Sequence, residues 1–196
     1  MASSEGAGAG AVKPPGAILG LFLATALPAH AATFERTEIP GTQTPGILLS
    51  GIISQGDQTA FDAVAEAMPT AIVITTGPGG SVGAAIAIGT EIRNRGWATL
   101  VPGGASCASA CSMIWLAGAR RLLADGGRIG FHAMSIRSNG IAVETHQPDV
   151  DLRRWLTELG YSFDTTATIV NTPARTVHWL DRLELQADGI AAEPFP

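Results

Sequence analysis

Short β-rich apolar runs alternate with segments of helical spacing through the first two thirds of the chain. Residues 46–54 (Gly-Ile-Leu-Leu-Ser-Gly-Ile-Ile-Ser) are bounded by turn residues and predict a strand. Phe61, Val64, Ala65 and Met68 fall on one helical face, which Asp57 can cap and Pro69 closes. Residues 71–75 predict a second buried strand. Val82, Ala85, Ile86 and Gly89 mark the inner face of the next helix, with Ala84, Ala85 and Gly89 allowing close packing. A third strand follows at 98–101 and a buried helix at 113–117. This alternation predicts a parallel sheet with helical crossovers. Residues 121–124 and 128–132 read as strands paired around Asp125-Gly126-Gly127. Beyond them the pattern loosens. Ser138-Asn139-Gly140 signals a turn. Leu152, Trp155, Leu156 and Leu159 give 149–159 an amphipathic face, and 163–170 and 177–187 read as further helices.

The start of the chain follows a different pattern. Residues 1–13 are small and polar with one cation, Lys13, and 17–27 are apolar but too short for a membrane span. Pro28-Ala29-His30-Ala31 then forms an A-x-A cleavage pattern. The expectation is a cleavable signal peptide over 1–31, export to a periplasmic or secreted location, an extended Pro/Thr-rich lead-in over 32–45, and one domain over 46–196. An uncleaved anchor is the other reading. Lys13 is the only lysine, so cleavage leaves none to act as a base, and the remaining histidines are His132, His146 and His178. A chain of 196 residues suffices for one core. A net charge of −5 with no basic patch argues against a nucleic-acid partner.

Three stretches carry candidate chemistry. In the first, Gly103-Gly104-Ala105-Ser106-Cys107-Ala108-Ser109-Ala110-Cys111-Ser112 joins a strand to a helix. Its small residues permit the tight turn at which an α/β fold presents a serine nucleophile; a helix-capping role for Ser109 is the alternative. The second, Thr76-Gly77-Pro78-Gly79-Gly80-Ser81-Val82, can point backbone N–H groups into a cleft as an oxyanion cradle, or can be a structural turn. It lacks the Gly-Lys-Ser/Thr of a phosphate loop, and its glycine spacing misses the dinucleotide pattern. The third is His132, which ends a strand where a base is well placed. Cys107 and Cys111 flank Ser109. They form a disulfide only if Cys107 lies ahead of the helix, and two buried thiols are the alternative. No histidine pair or second cysteine pair completes a metal site, and no cofactor is called for.

Taken together, the Pro-Gly-Gly loop, residues 104–118 and Gly130-Phe131-His132 resemble the Clp protease proteolytic subunit, ClpP. Loop, serine and histidine follow in the family's order at compatible spacings. With the signal and the Cys-Ala-Ser-Ala-Cys core, the chain resembles an exported branch of that superfamily. The resemblance implies an α/β fold of the ClpP/crotonase type, with repeated ββα units and a helical C-terminal part. It implies a serine peptidase with Ser109 as nucleophile, His132 as base, the N–H groups of Gly80 and Ala110 as oxyanion hole, and a peptide or protein substrate. A homo-oligomer accompanies such folds without a fixed number. The family's third residue, an aspartate, falls near Val177; Asp181 lies one turn away as a substitute, Asn171 is weaker, and a backbone-oriented Ser-His dyad is the other option. Related signal peptide peptidases use a lysine base, which the mature chain lacks. The missing aspartate also motivates the alternative of a weakly active or inactive binding scaffold. An acyl-CoA enzyme of the crotonase class is a third reading, disfavoured by the export signal.

Overall fold

The computed structural model describes residues 31–138, 141–144 and 147–196. The leader up to His30, the centre of the Ser138-Asn139-Gly140 turn, and His146 lie outside the described residues. The described residues open with β1 (Thr33–Thr37), β2 (Gly46–Ser50), β3 (Ile52–Ile53) and α1 (Asp57–Ala65). Next come β4 (Ile72–Thr75), β5 (Gly79–Gly80) and α2 (Val82–Asn94), then β6 (Ala98–Val101), β7 (Ser106–Ala108) and α3 (Ala110–Leu116). β8 (Arg121–Ala124), β9 (Arg128–Phe131), β10 (Ser135–Ser138) and β11 (Ile141–Glu144) follow. The chain finishes with α4 (Gln147–Glu158), α5 (Phe163–Asn171), β12 (His178–Leu180), α6 (Arg182–Ala187) and β13 (Glu193–Phe195).

From β2 onward a ββα unit repeats. The first strand of each unit enters one sheet, of order β1-β2-β4-β6-β8-β13, parallel except where β1 runs against β2. The second strand turns off into another layer. There β3 pairs with β5, β7 pairs with β9, and a bridge from Gly77 to Cys107 spans the gap between the pairs. β12 completes the β9 edge antiparallel.

Both faces of the sheet's centre are buried, which is why β2, β4, β6 and β8 read as apolar runs while the edge strands β1 and β13 do not. Val73, Val101 and Leu123 point into the main core with Ile88, Ile92, Ile114 and Trp115 of α2 and α3. Ile72, Ile74, Leu100 and Leu122 point the other way, under Ile39 and Phe195. Trp155 of α4 packs on α2 at Gly89, where a Cβ would come within 2.9 Å of its ring, and its indole donates to Thr90 Oγ1. The Tyr161 hydroxyl donates to the Leu116 carbonyl at the end of α3. Burial pushes that phenol up to about 12, against the opposing pull of Arg121 and Arg93.

Several local expectations change. Residues 121–124 and 128–132 do not pair as a hairpin. Leu122 and Leu123 are buried on opposite faces, so β8 belongs inside the parallel sheet and β9 leaves for the second layer. The segment 177–187 is not one helix but β12 followed by α6. The stretch read as a lead-in supplies β1. Asp57 does not cap α1 from outside; it is the first helical residue, preceded by Gly56. Among the described residues no helix is long and apolar enough to cross a membrane.

Candidate active site

Ser109 sits between β7 and α3 with φ 57° and ψ −126°, and it is the only non-glycine residue at positive φ among the described residues. Such torsions cost about 1–3 kcal/mol and persist only where the surroundings impose them. Here the surroundings are identifiable. The Ser109 N–H donates to the Gly130 carbonyl of β9 at 2.8 Å. The Ser112 hydroxyl, fully buried, lies 2.8 Å from both the Gly130 and the Cys107 carbonyls. Cys107, in β7 ahead of the helix, is joined to Cys111 of α3 by a disulfide, with a Cα–Cα distance of 5.3 Å. The serine is thus the apex of a closed, braced turn. Its hydroxyl makes no capping bond to α3, so the capping alternative does not describe this geometry.

The glycine loop lies directly against this turn. Gly77 donates to the Ser106 carbonyl and accepts from the Ala108 N–H, both at 3.0 Å. A Cβ on Gly79 would come within 2.6 Å of the Ala108 oxygen and 2.7 Å of the Ala110 nitrogen. Only glycine fits there. On the loop's other side, Ser81 N–H donates to the Ile53 carbonyl at 2.7 Å. In a parallel ladder Ile53 therefore bonds to the residues flanking Gly80, and the peptide groups of Gly80 itself point away from β3. Ala110 is the first residue of α3, where an N–H has no partner within its own helix.

His132 follows β9 immediately. Its Nδ1 lies 2.7 Å from the Ala133 carbonyl, which makes Nδ1–H the donor and leaves Nε2 as the basic nitrogen. Ser109, His132, Pro78, Gly79, Gly80 and Met134 line one cleft of about 680 Å³, with Ile52 and Val82 adding apolar wall. Among the described residues no hydrogen bond joins the Ser109 hydroxyl to His132.

The structure does not bring Asp181 to this cleft. β12 runs antiparallel to β9 with His178 opposite Phe131 and Leu180 opposite Ile129, so Asp181 emerges at the Arg128 end, away from His132. Its carboxylate is engaged in a capping box, accepting from Leu183 and Glu184 N–H while Glu184 accepts from its own N–H. The same register, continued by one residue, puts Val177 opposite His132. Asn171 accepts from Arg153 instead. Ser112 and the Ala133 carbonyl were missed from sequence. A lone serine inside an apolar helix was a signal for the first; no side chain marks the second.

Solved structures share this arrangement of elements. The chain is similar to a serine-to-alanine variant of the 1510-N membrane-bound stomatin-specific protease, at 21% identity and a TM-score of 0.58, over 76% of this chain and 77% of that one. It is likewise similar to an asparagine-to-aspartate variant of ClpP1 from Listeria monocytogenes, at 17% identity and a TM-score of 0.56, over 76% of this chain and 91% of that one. The fold is ClpP-like. A lysine-to-alanine variant of the stomatin-specific protease, in complex with a substrate peptide, aligns at 19% identity and a TM-score of 0.50, over 70% of this chain and 67% of that one. No protein-family model matches the chain, and no curated protein does.

Proposed function

We propose that the protein is an exported serine hydrolase that cleaves peptide bonds with a Ser109–His132 dyad. The observation that carries this reading is the backbone of Ser109. A strained torsion is maintained there, and its result is a hydroxyl withheld from the helix cap and placed in a cleft with a histidine. A serine hydroxyl is a poor nucleophile until a base takes its proton. Ser109 Oγ attacks the scissile carbonyl as His132 Nε2 accepts the hydroxyl proton. The carbonyl oxygen becomes an oxyanion between the N–H groups of Gly80 and Ala110, and losing one such donor costs about 10²–10³ in rate. His132 then protonates the leaving amine, and water releases the acyl group by the same steps. The Ala133 carbonyl holds the imidazole in the required tautomer, the task an aspartate performs in a full triad. Likeness to two proteases supports a peptide substrate over other acyl groups.

The test is fluorophosphonate labelling of the processed protein, with Ser109→Ala and His132→Ala alongside. Labelling that requires both residues is the expected result. A folded wild type that stays unlabelled overturns the hydrolase reading and favours a ClpP-like binding scaffold. Val177 opposite His132 and the remote Asp181 are the observations on that side. N-terminal sequencing of exported protein tests processing: a start at Ala32 is expected, and a start at Met1 overturns it.

A further inference from the structure

Asp57 is a nearly buried carboxylate, 7% exposed, and among the described residues no arginine or histidine is ion-paired with it. Its Oδ2 accepts two backbone N–H groups, from Ser54 at 2.7 Å and from Ala32 at 3.1 Å. The Ser54 bond closes the turn into α1, a local task that a neutral asparagine performs equally well. The Ala32 bond is of a different kind. It comes from 25 residues away, and Ala32 is itself 8% exposed whereas Ala31 is exposed. A buried charge is costly without a partner of opposite sign.

We propose that Asp57 is the binding site for the α-ammonium group that processing creates on Ala32. The proposal rests on the export reading above. Hydrolysis of the bond between Ala31 and Ala32 adds the elements of water: hydroxyl to the Ala31 carbonyl, hydrogen to the Ala32 nitrogen, which is then protonated at neutral pH. The nitrogen that already lies against Asp57 thereby gains a positive charge and two further hydrogens without moving. An amide donor on the carboxylate becomes a cationic donor, so the contact gains a charge of opposite sign to that of Asp57. Cleavage during export precedes folding, so the burial of Ala32 is no obstacle to it. The ion pair also reaches toward the cleft. Ser54 directly follows β3, the strand that carries the Gly79–Gly80 loop and whose Ile53 carbonyl accepts the Ser81 N–H.

The composition supplies an unusually clean test. Lys13 is the only lysine, so the processed chain holds one amine, its N-terminus. An amine-acylating N-hydroxysuccinimide ester at neutral pH would be applied to three folded proteins: the processed wild type, the same chain starting at Ala31, and Asp57→Asn starting at Ala32. The processed wild type should react about tenfold more slowly than either other protein, as expected for an ammonium held by a buried carboxylate, and all three should react alike in denaturant. If Asp57→Asn fails to fold, the chain starting at Ala31 still decides, because it retains every side chain. Equal rates for the two wild-type N-termini would overturn the pairing while leaving processing and hydrolysis in place. Mass spectrometry of the exported protein separates the other failure: a start elsewhere than Ala32 overturns the pairing together with the processing reading.

Discussion

Ser81 and Ser109 occupy equivalent places, each between the second strand and the helix of a ββα unit, yet they do opposite things. Ser81 has φ −68° and ψ 114°, and its hydroxyl accepts the Ala84 N–H, an ordinary helix cap. Ser109 has φ 57°, and its hydroxyl caps nothing. The difference originates in the strands ahead of them. Before Ser81, Gly79 and Gly80 take the left-handed torsions, at φ 97° and 140°, and leave the serine relaxed. Before Ser109 stands Ser106-Cys107-Ala108, without glycine, tied to β9 in register and to α3 through the disulfide. The turn must still be made, so the unfavourable torsion falls on the serine. A serine ahead of a helix is therefore not a cap by position alone; the rigidity of the preceding strand decides.

The largest expected effect concerns the two ends of β9. His132→Ala should slow fluorophosphonate labelling by at least about 10², the contribution of a positioned base. Asp181→Ala, at the opposite end of the β9–β12 pair, should leave the labelling rate within about twofold and lower stability by about 1 kcal/mol through loss of its cap. A comparable labelling loss in Asp181→Ala would break the dyad reading and restore a side-chain triad.

The glycine loop comes next. Gly79→Ala should reduce labelling by about 10²–10³, because its Cβ meets the Ala108 oxygen, the Ala110 nitrogen and the Ser109 Cβ within 2.6 to 2.8 Å and pushes the glycine loop and the start of α3, the two proposed sources of oxyanion donors, apart. Gly83→Ala in the same cleft wall is the control. Nothing lies within 4 Å of a Cβ there, and alanine favours the helix, so labelling should persist and stability should rise by up to about 1 kcal/mol. Equal losses in both variants would mean that the loop is merely fragile.

What sequence could and could not show follows the same division. Apolar runs buried on both faces revealed the central strands β2, β4, β6 and β8 but not the edge strands β1 and β13, none of whose residues is buried; the turn chemistry around Ser109 and Gly79 was legible because small residues are what close approach requires. The two-residue strands β3 and β5 were not legible, since a ladder so short is decided by its partner. Asp125-Gly126-Gly127 signalled a turn correctly but could not show that the chain then enters another layer. Asp181 lies one helical turn from the family position only if 177–187 is a helix. In a strand the same spacing carries it beyond the Arg128 end of β9. The group beside the His132 imidazole is a main-chain carbonyl, and no residue type announces one.

The disulfide tests how the strained turn is maintained. Replacing Cys107 and Cys111 together by alanine should lower stability by about 2 kcal/mol, the loop-closure value for so short a separation, read by denaturant titration. Labelling should fall with it, because Ser109 could then relax toward a capping geometry. A loss of stability without any change in the labelling of folded protein would assign the brace to Ser112 and the Gly130 carbonyl instead.

The smallest expected changes, those in stability, draw the contrast between the serines most sharply, because their signs are opposite. Ser81→Ala removes a satisfied cap and should cost about 1 kcal/mol while labelling persists. Ser109→Gly removes a hydroxyl that caps nothing and supplies a residue that tolerates φ 57°, so it should stabilise the fold by about 1 kcal/mol while abolishing labelling. Thermal melts of both variants beside the wild type decide it. If Ser109→Gly melts below the wild type, the torsion is not a source of strain, and the serine's exposure to the cleft needs another cause.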